Sequence, residues 1–204
     1  MLFDDTYFTI EKPSEAIFRD RGSKFLSYAY PIKTDQDIKD IIAGLKKEHP
    51  KANHHCYAIR WSTDRSVFRI NDDGEPSGTA GRPILNTLLS RNLTNVAVVV
   101  VRYFGGTLLG VPGLINAYRT ATELALNEAV VLEKTVNDIY TISFDYLQMN
   151  DVMRIIKDDN LEILEQQFDN DCAIKVSVRK MQVNQVLNKL QKLSSAKAKY
   201  LYSL

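Results

Sequence analysis

An α+β chain built as two α/β-sandwich domains is expected from three observations. Val96 to Val101 is a continuous apolar run, the mark of a strand buried on both faces. From Thr34 onward, helical apolar stripes alternate with short strand patterns. The texture changes between Val130 and Thr135, and beyond it the elements follow in the order βαββαβ, the ferredoxin-like pattern. The domains are therefore drawn at residues 1–131 and 132–204.

The elements follow in order. Thr34-Asp35-Gln36-Asp37 opens a helix, with Thr as N-cap and acids in the first turn. Ile38, Ile41, Ile42 and Leu45 form its apolar face, and Pro50 ends it. His55 to Ile59 and Ser66 to Ile70 read as strands around the turn Ser62-Thr63-Asp64. A loop runs from Asn71 to Gly78, then a helix from Thr79 to Arg91 with Ile84, Leu85, Leu88 and Leu89 inward. The central strand Val96 to Val101 ends at Arg102 and is broken by Gly105-Gly106. Gly110 to Gly113 leads into a helix carrying Leu114, Ala117, Tyr118, Ala121 and Leu124.

In the second domain Tyr140, Ile142 and Phe144 alternate with polar residues, as on a half-buried strand. Met149, Val152, Met153 and Ile156 make a helical stripe. Leu161 to Phe168 and Ala173 to Arg179 form a hairpin around Asp169-Asn170-Asp171. Val183, Val186, Leu187 and Leu190 make a second stripe, and Ala198, Tyr200 and Tyr202 share one face of a last strand. No internal repeat is expected.

Hydrophobic residues at 45% and charged residues at 25% place the chain among soluble globular proteins. No apolar run approaches the ~20 residues of a membrane helix. Met1-Leu2-Phe3-Asp4-Asp5 lacks a basic region and an apolar core, so no signal peptide is expected. Cys56 and Cys172 lie far apart and form no CxxC, which points to free thiols and the cytoplasm. A net charge of +1 excludes nucleic-acid binding driven by a global field. The distribution is uneven, however. After an acidic stretch from Asp151 to Asp171 come Lys175, Arg179, Lys180, Lys189, Lys192, Lys197 and Lys199 with no further acid. Such an end suits RNA, or is a set of solvated lysines.

Two glycine-rich stretches are the candidate site. Asp72-Asp73-Gly74-Glu75-Pro76-Ser77-Gly78-Thr79-Ala80-Gly81 can expose successive N–H groups to an anion at a helix start. Its acids Asp72, Asp73 and Glu75 would instead repel phosphate, and suit a cation or pin arginines. The plain alternative is a turn whose acids cap its own backbone. Arg102-Tyr103-Phe104-Gly105-Gly106 follows no Walker or GxGxxG grammar. Arg102, ending a buried strand, needs a partner, and the acidic loop is the candidate. His54, His55 and Cys56 alternate across a strand, so neither a full metal set nor a thiol with an adjacent base is assembled. Lys24, Arg60, Arg82, Arg102 and Arg119 lie among Tyr57, Trp61, Tyr103, Phe104 and Tyr118, a mixture that suits single-stranded RNA or a nucleotide unless the aromatics are core.

At these residues the chain resembles the IMPACT/YigZ family, in its bacterial two-domain branch. The resemblance rests on Arg21-Gly22-Ser23-Lys24-Phe25, His54-His55-Cys56-Tyr57-Ala58 and the Asp72–Pro83 stretch. It continues through Val100-Val101-Arg102-Tyr103-Phe104-Gly105-Gly106-Thr107-Leu108-Leu109-Gly110 and Gly113-Leu114-Ile115-Asn116-Ala117-Tyr118. It implies a first domain like the second domain of a small-subunit ribosomal protein, and a ferredoxin-like second domain like the last domain of elongation factor G. Eukaryotic relatives regulate translation by interfering with activation of a stress kinase.

The expectation is a cytoplasmic, non-enzymatic RNA- or ribosome-associated protein, without cofactor or metal and without a membrane. Lys24, Arg60, Arg82, Arg102, Tyr103, Gly105 and Gly106 would bind RNA or an anion. A protein partner of the translation machinery, docking on an exposed sheet edge, is a further reading. The alternative is a metal-assisted or acid–base hydrolase acting on a small phosphorylated or peptidic substrate through His55, Asp72, Asp73 and Glu75.

Overall fold

The computed structural model describes residues 5–61, 67–168 and 172–203. The turns expected at Ser62-Thr63-Asp64 and Asp169-Asn170-Asp171 lie outside the described residues. The chain forms two compact units, Tyr7–Glu133 and Lys134–Leu204, the latter joined by Asp5 and Thr6. This division differs from a cut at 131/132 because Asp5 is tied to residues late in the chain. Its carboxylate accepts from Arg179 Nε at 2.8 Å and from the Met181 N–H at 3.2 Å, and its carbonyl accepts from the Val136 N–H.

The first unit carries β1 (Thr6–Ile10), β2 (Ser14–Asp20), β3 (Ser23–Pro31), α1 (Asp35–Glu48), β4 (His54–Trp61), β5 (Val67–Asn71), α2 (Gly81–Ser90), β6 (Val96–Tyr103), α3 (Gly110–Asn127) and β7 (Val131–Thr135). β1 and β7 pair as a short ribbon. The main sheet runs β2-β3-β6-β4-β5, with every neighbouring pair antiparallel. One face packs on α2 and α3, where Phe25, Ala58, Val98 and Val100 meet Ile84, Leu88, Leu114 and Tyr118. The other packs on α1, with Leu26, Val99 and Val101 against Leu45. Helices on both faces explain why β6 is apolar throughout although its sheet is antiparallel: every residue but Tyr103 is buried.

Three strands form ahead of Thr34, where the sequence predicts no element. β2 is an edge whose Ile17 is exposed, and buried Ser27 interrupts the apolar run of β3, so neither shows a clean period. Thr34 does cap α1: its hydroxyl accepts from the Asp37 N–H, while Asp37 accepts from the N–H groups of Lys33 and Thr34.

The second unit carries β8 (Asn137–Phe144), α4 (Met149–Asp158), β9 (Glu162–Phe168), β10 (Cys172–Arg179), α5 (Val183–Leu190) and β11 (Lys197–Ser203), the expected βαββαβ order. The antiparallel sheet runs β11-β8-β10-β9. Both helices cover one face, with Val152, Ile156, Val186 and Leu190 on Tyr140, Ile142, Ile174 and Val176.

One expectation changes here: β11 carries a bulge between Tyr200 and Tyr202. Tyr200 stays opposite Tyr140 on the helix side of the sheet, with ring centroids 5.7 Å apart. Tyr202 falls opposite Ile139 and is turned to the other face, because an inserted residue reverses the alternation. The 3-10 turns Tyr146–Gln148 and Lys180–Gln182 each lead into a helix, α4 and α5, as the doubled β-α order of the unit requires. No helix among the described residues is long and apolar enough to cross a membrane.

Candidate functional site

The two glycine-rich stretches meet above the α2/α3 face of the first unit, at the ends of β4 and β6. His54 lies opposite Arg102 across that pair. Arg102 is the last α2/α3-facing residue of β6 and is 5% exposed. Its Nη1 donates to Glu75 Oε1 at 2.6 Å, and Glu75 is 8% exposed. The Tyr118 hydroxyl, from α3, donates to the same carboxylate at 2.8 Å. Arg102 Nη2 reaches Ser23 Oγ at 3.4 Å, which also accepts from the Gly105 N–H at 3.2 Å. The guanidinium lies 5.4 Å from the Phe25 ring centroid and 5.5 Å from that of Phe104. The carboxylate and the two rings offset the burial of this cation, whose Nε has no hydrogen-bond partner among the described residues.

The other acids of the loop are spent on backbone. Asp72 accepts from the N–H groups of Gly78, Ala80 and Gly81 at 2.8, 3.1 and 2.8 Å. Ala80, the N-cap of α2, has no side chain to do this, so Asp72 caps the helix from eight residues upstream. The helix begins at Gly81 rather than Thr79, because Thr79 closes a turn onto the Pro76 carbonyl through both its N–H and its hydroxyl. Asp73 accepts from the His55 N–H at 2.6 Å, and its carbonyl accepts from His54 Nδ1 at 2.8 Å. Of the three acids only Glu75 meets Arg102.

The titratable groups are tuned for structure. Burial pushes the Cys56 thiol up; the thiol donates to the Asp72 carbonyl at 2.9 Å and lies 3.3 Å from the Tyr118 hydroxyl. A thiol so held is no nucleophile at neutral pH. Burial likewise pushes the Tyr118 hydroxyl up, with Cys56 and Glu75 adding to it. His55 points to the α1 face, and loss of solvent holds its ring below the ordinary value against the opposing pull of Asp73.

The expected cations divide. Arg60 is buried and its Nη1 donates to the Leu93 carbonyl at 2.9 Å; Arg102 is locked to Glu75. Both are interior groups, because a guanidinium that leaves water needs fixed acceptors. Lys24 sits opposite Tyr103 on the α1 face of the sheet, away from Arg102. The Tyr103 hydroxyl bonds His49 Nδ1 at 3.0 Å. Arg82, Gly105 and Gly106 are exposed, as is Arg119, which donates to Asn116. Gly105 presses on the backbone of Gly22 and Ser23 so closely that an added Cβ would overlap it. Ser23 joins this network although the sequence marks it only within the stretch Arg21-Gly22-Ser23-Lys24-Phe25 and gives it no role. Tyr118 was legible as helix core or as one of several aromatics among cations, not as a donor to Glu75, although a buried tyrosine hydroxyl usually finds a partner.

His55, Asp72, Asp73 and Glu75 therefore do not converge on one opening, and the hydrolase alternative gains no support from the geometry. Among the described residues no group of three or more His, Cys, Asp or Glu is arranged to hold a metal ion.

Comparison with known proteins places this arrangement. The Impact N-terminal domain family matches residues 21–126, which include every member of the Glu75–Arg102–Tyr118 network. IMPACT family member YvyE of Bacillus subtilis (strain 168) is 31% identical over 193 residues, covering 95% of this chain and 89% of that protein. IMPACT family member YigZ of Escherichia coli (strain K12) is 30% identical over 85% of this chain and 86% of its own length. A crystal structure of a hypothetical protein is similar over 97% of this chain and 98% of its own, with 27% identity and a TM-score of 0.72. With a family domain over residues 21–126 and relatives aligned along most of its length, this chain belongs to the IMPACT family.

Proposed function

We propose that this chain is a non-enzymatic, cytoplasmic protein that associates with RNA or the ribosome and takes part in regulating translation. The observation that carries this reading is the spending of the loop carboxylates on internal bonds. Glu75 holds Arg102 and Tyr118, Asp72 caps α2, and Asp73 ties down β4. What remains outward on the first unit includes Arg82, Gly105 and Gly106, with Lys24 and the partly exposed Tyr103 on the α1 face of the sheet. Arg60 and Arg102 support the surface from within. Family membership adds weight, since the eukaryotic IMPACT proteins that the sequence resembles act in translation. In this reading the two units, divided near residues 131–134, follow the second domain of a small-subunit ribosomal protein and the last domain of elongation factor G.

The test is co-sedimentation with ribosomes at about 50 and 200 mM salt, with and without nuclease. Phosphate contacts make binding strong at the lower value and weak at the higher. The variant Lys24→Glu/Arg82→Glu should lose most of the low-salt binding while keeping its melting temperature. Absence of the wild-type chain from the ribosome and RNA fractions at low salt would overturn the reading.

A further inference from the structure

The second unit has a face that its helices do not cover. α4 and α5 pack on Tyr140, Ile142, Ile174 and Val176, so the alternate residues of the same strands point the other way. Strand register places Lys197 opposite Ser143 and Lys199 opposite Thr141 on that face. Lys175 lies opposite Thr141 from the other side. The bulge brings Tyr202 to the same face, 43% exposed, with Lys175 Nζ 5.8 Å from its ring centroid. Lys197 and Lys199 are exposed and have no ion-pair partner among the described residues. The acids that register places on this face, Glu165 and Glu162, sit on edge strand β9, separated from β11 by β8 and β10, and Glu165 is paired with Lys175 at 3.0 Å.

We propose that the exposed part of this face, where Lys197 and Lys199 of β11 flank Ser143 and Thr141 of β8, binds single-stranded RNA, with Lys197 and Lys199 on phosphates and Tyr202 stacking on a base. Two lysines spaced along one strand, free of acids, complement a polyanion rather than an apolar partner. Thr141 and Ser143 beside them can donate to phosphate or sugar oxygens. A four-stranded sheet with helices on one face is a known way to present bases to aromatics. The central strands β8 and β10 carry no aromatic on this face, so recognition is by backbone charge and one stacking ring, with little sequence preference. The inference rests on the RNA reading above and locates a contact surface for it, separate from Lys24 and Arg82.

The experiment measures anisotropy of a fluorescein-labelled 12-nucleotide single-stranded RNA of mixed sequence against the full chain. Wild type, Lys197→Ala/Lys199→Ala, Tyr202→Ala, Tyr202→Phe and Lys24→Glu/Arg82→Glu are compared over a salt series. The lysine pair should lower the slope of log affinity against log salt by about 1.4, at about 0.7 per lost contact on a single strand. Tyr202→Ala should weaken binding about tenfold, the scale of one stacked base, and Tyr202→Phe should restore it. Equal affinity for wild type and the lysine pair, with loss confined to Lys24→Glu/Arg82→Glu, overturns this surface and leaves the RNA reading standing. No binding by any chain, here and to ribosomes, overturns both. Capture of a polyglutamate peptide through Lys197 and Lys199 without RNA binding overturns it in favour of an acidic protein.

Discussion

Arg102 and Glu75 show how much a single residue depends on its neighbours. A buried guanidinium whose Nη1 lies 2.6 Å from a carboxylate is stable only while both remain. Removing one partner of such a pair costs about 3–5 kcal/mol, because the other charge is left uncompensated. Arg102→Met should therefore destabilise by that amount in urea titrations. Glu75→Gln should cost a similar amount, since Tyr118 keeps an acceptor but Arg102 loses its counter-charge. Arg102→Met/Glu75→Gln should be more stable than the sum of the two losses implies. A strictly additive pair would show that the charges are not coupled. The need for a partner at Arg102 was legible from its place after six buried apolar residues. Which acid would serve was not, because Asp72, Asp73 and Glu75 are equivalent as residue types, and only loop geometry sends one inward and two to the backbone.

At the scale of the element, the start of α2 and the contact between loops make the strongest demands. Asp72 satisfies N–H groups of Ala80 and Gly81 that no local side chain caps. Asp72→Ala should cost about 1–2 kcal/mol, within the range of a lost N-cap, and raise hydrogen exchange at the first turn of α2. Unchanged exchange there would remove Asp72 from the capping role. Gly105 and Gly44 make an opposed pair. Gly105→Ala would drive a Cβ into the Gly22–Ser23 backbone and should cost about 3 kcal/mol or more. Gly44, inside α1 with no atom near an added Cβ, should gain about 0.5–1 kcal/mol as alanine. Thermal melts of both variants decide this, and a tolerated Gly105→Ala would mean that the loops part easily. The capping box of α1 was readable because its partners are three residues apart. The remote cap of α2 and the bulge of β11 were not, since each depends on strands brought together from elsewhere in the chain.

For the whole molecule, pH reports on groups spread over both units. His55 is held neutral by burial, its value below the 6.5 of an unfolded histidine. The native state then binds fewer protons than the unfolded one, so stability falls as pH drops below about 6.5. Asp5 is lowered chiefly by its hydrogen bonds with Arg179, against the opposing effect of burial. Its contribution is present above about 3.8 and is lost as pH falls through its depressed value. Burial, with Glu48 and Glu15 adding to it, pushes the Tyr28 hydroxyl up to about 12. That contribution is present below pH 10 and disappears as pH rises toward 12. Urea midpoints measured from about pH 2 to 12 should fall at both ends. His55→Gln should remove the decline between about pH 7 and 5, and Asp5→Asn should reduce the decline below about pH 4. A wild-type midpoint flat between pH 5 and 7 would show that His55 is not buried in its neutral form.

The amino-acid sequence by itself determined that the chain has a doubly covered central strand, a βαββαβ second half and two glycine-rich stretches that mark its family. These are local properties: period, composition and short spacings survive without any knowledge of distant partners. The edge strands before Thr34, the Glu75–Arg102–Tyr118 network, the inward turn of Arg60 and the outward turn of Tyr202 were decided only by tertiary structure. Each depends on residues tens of positions apart competing for the same hydrogen bonds, the same sheet face or the same volume, and a linear pattern does not record which of them wins.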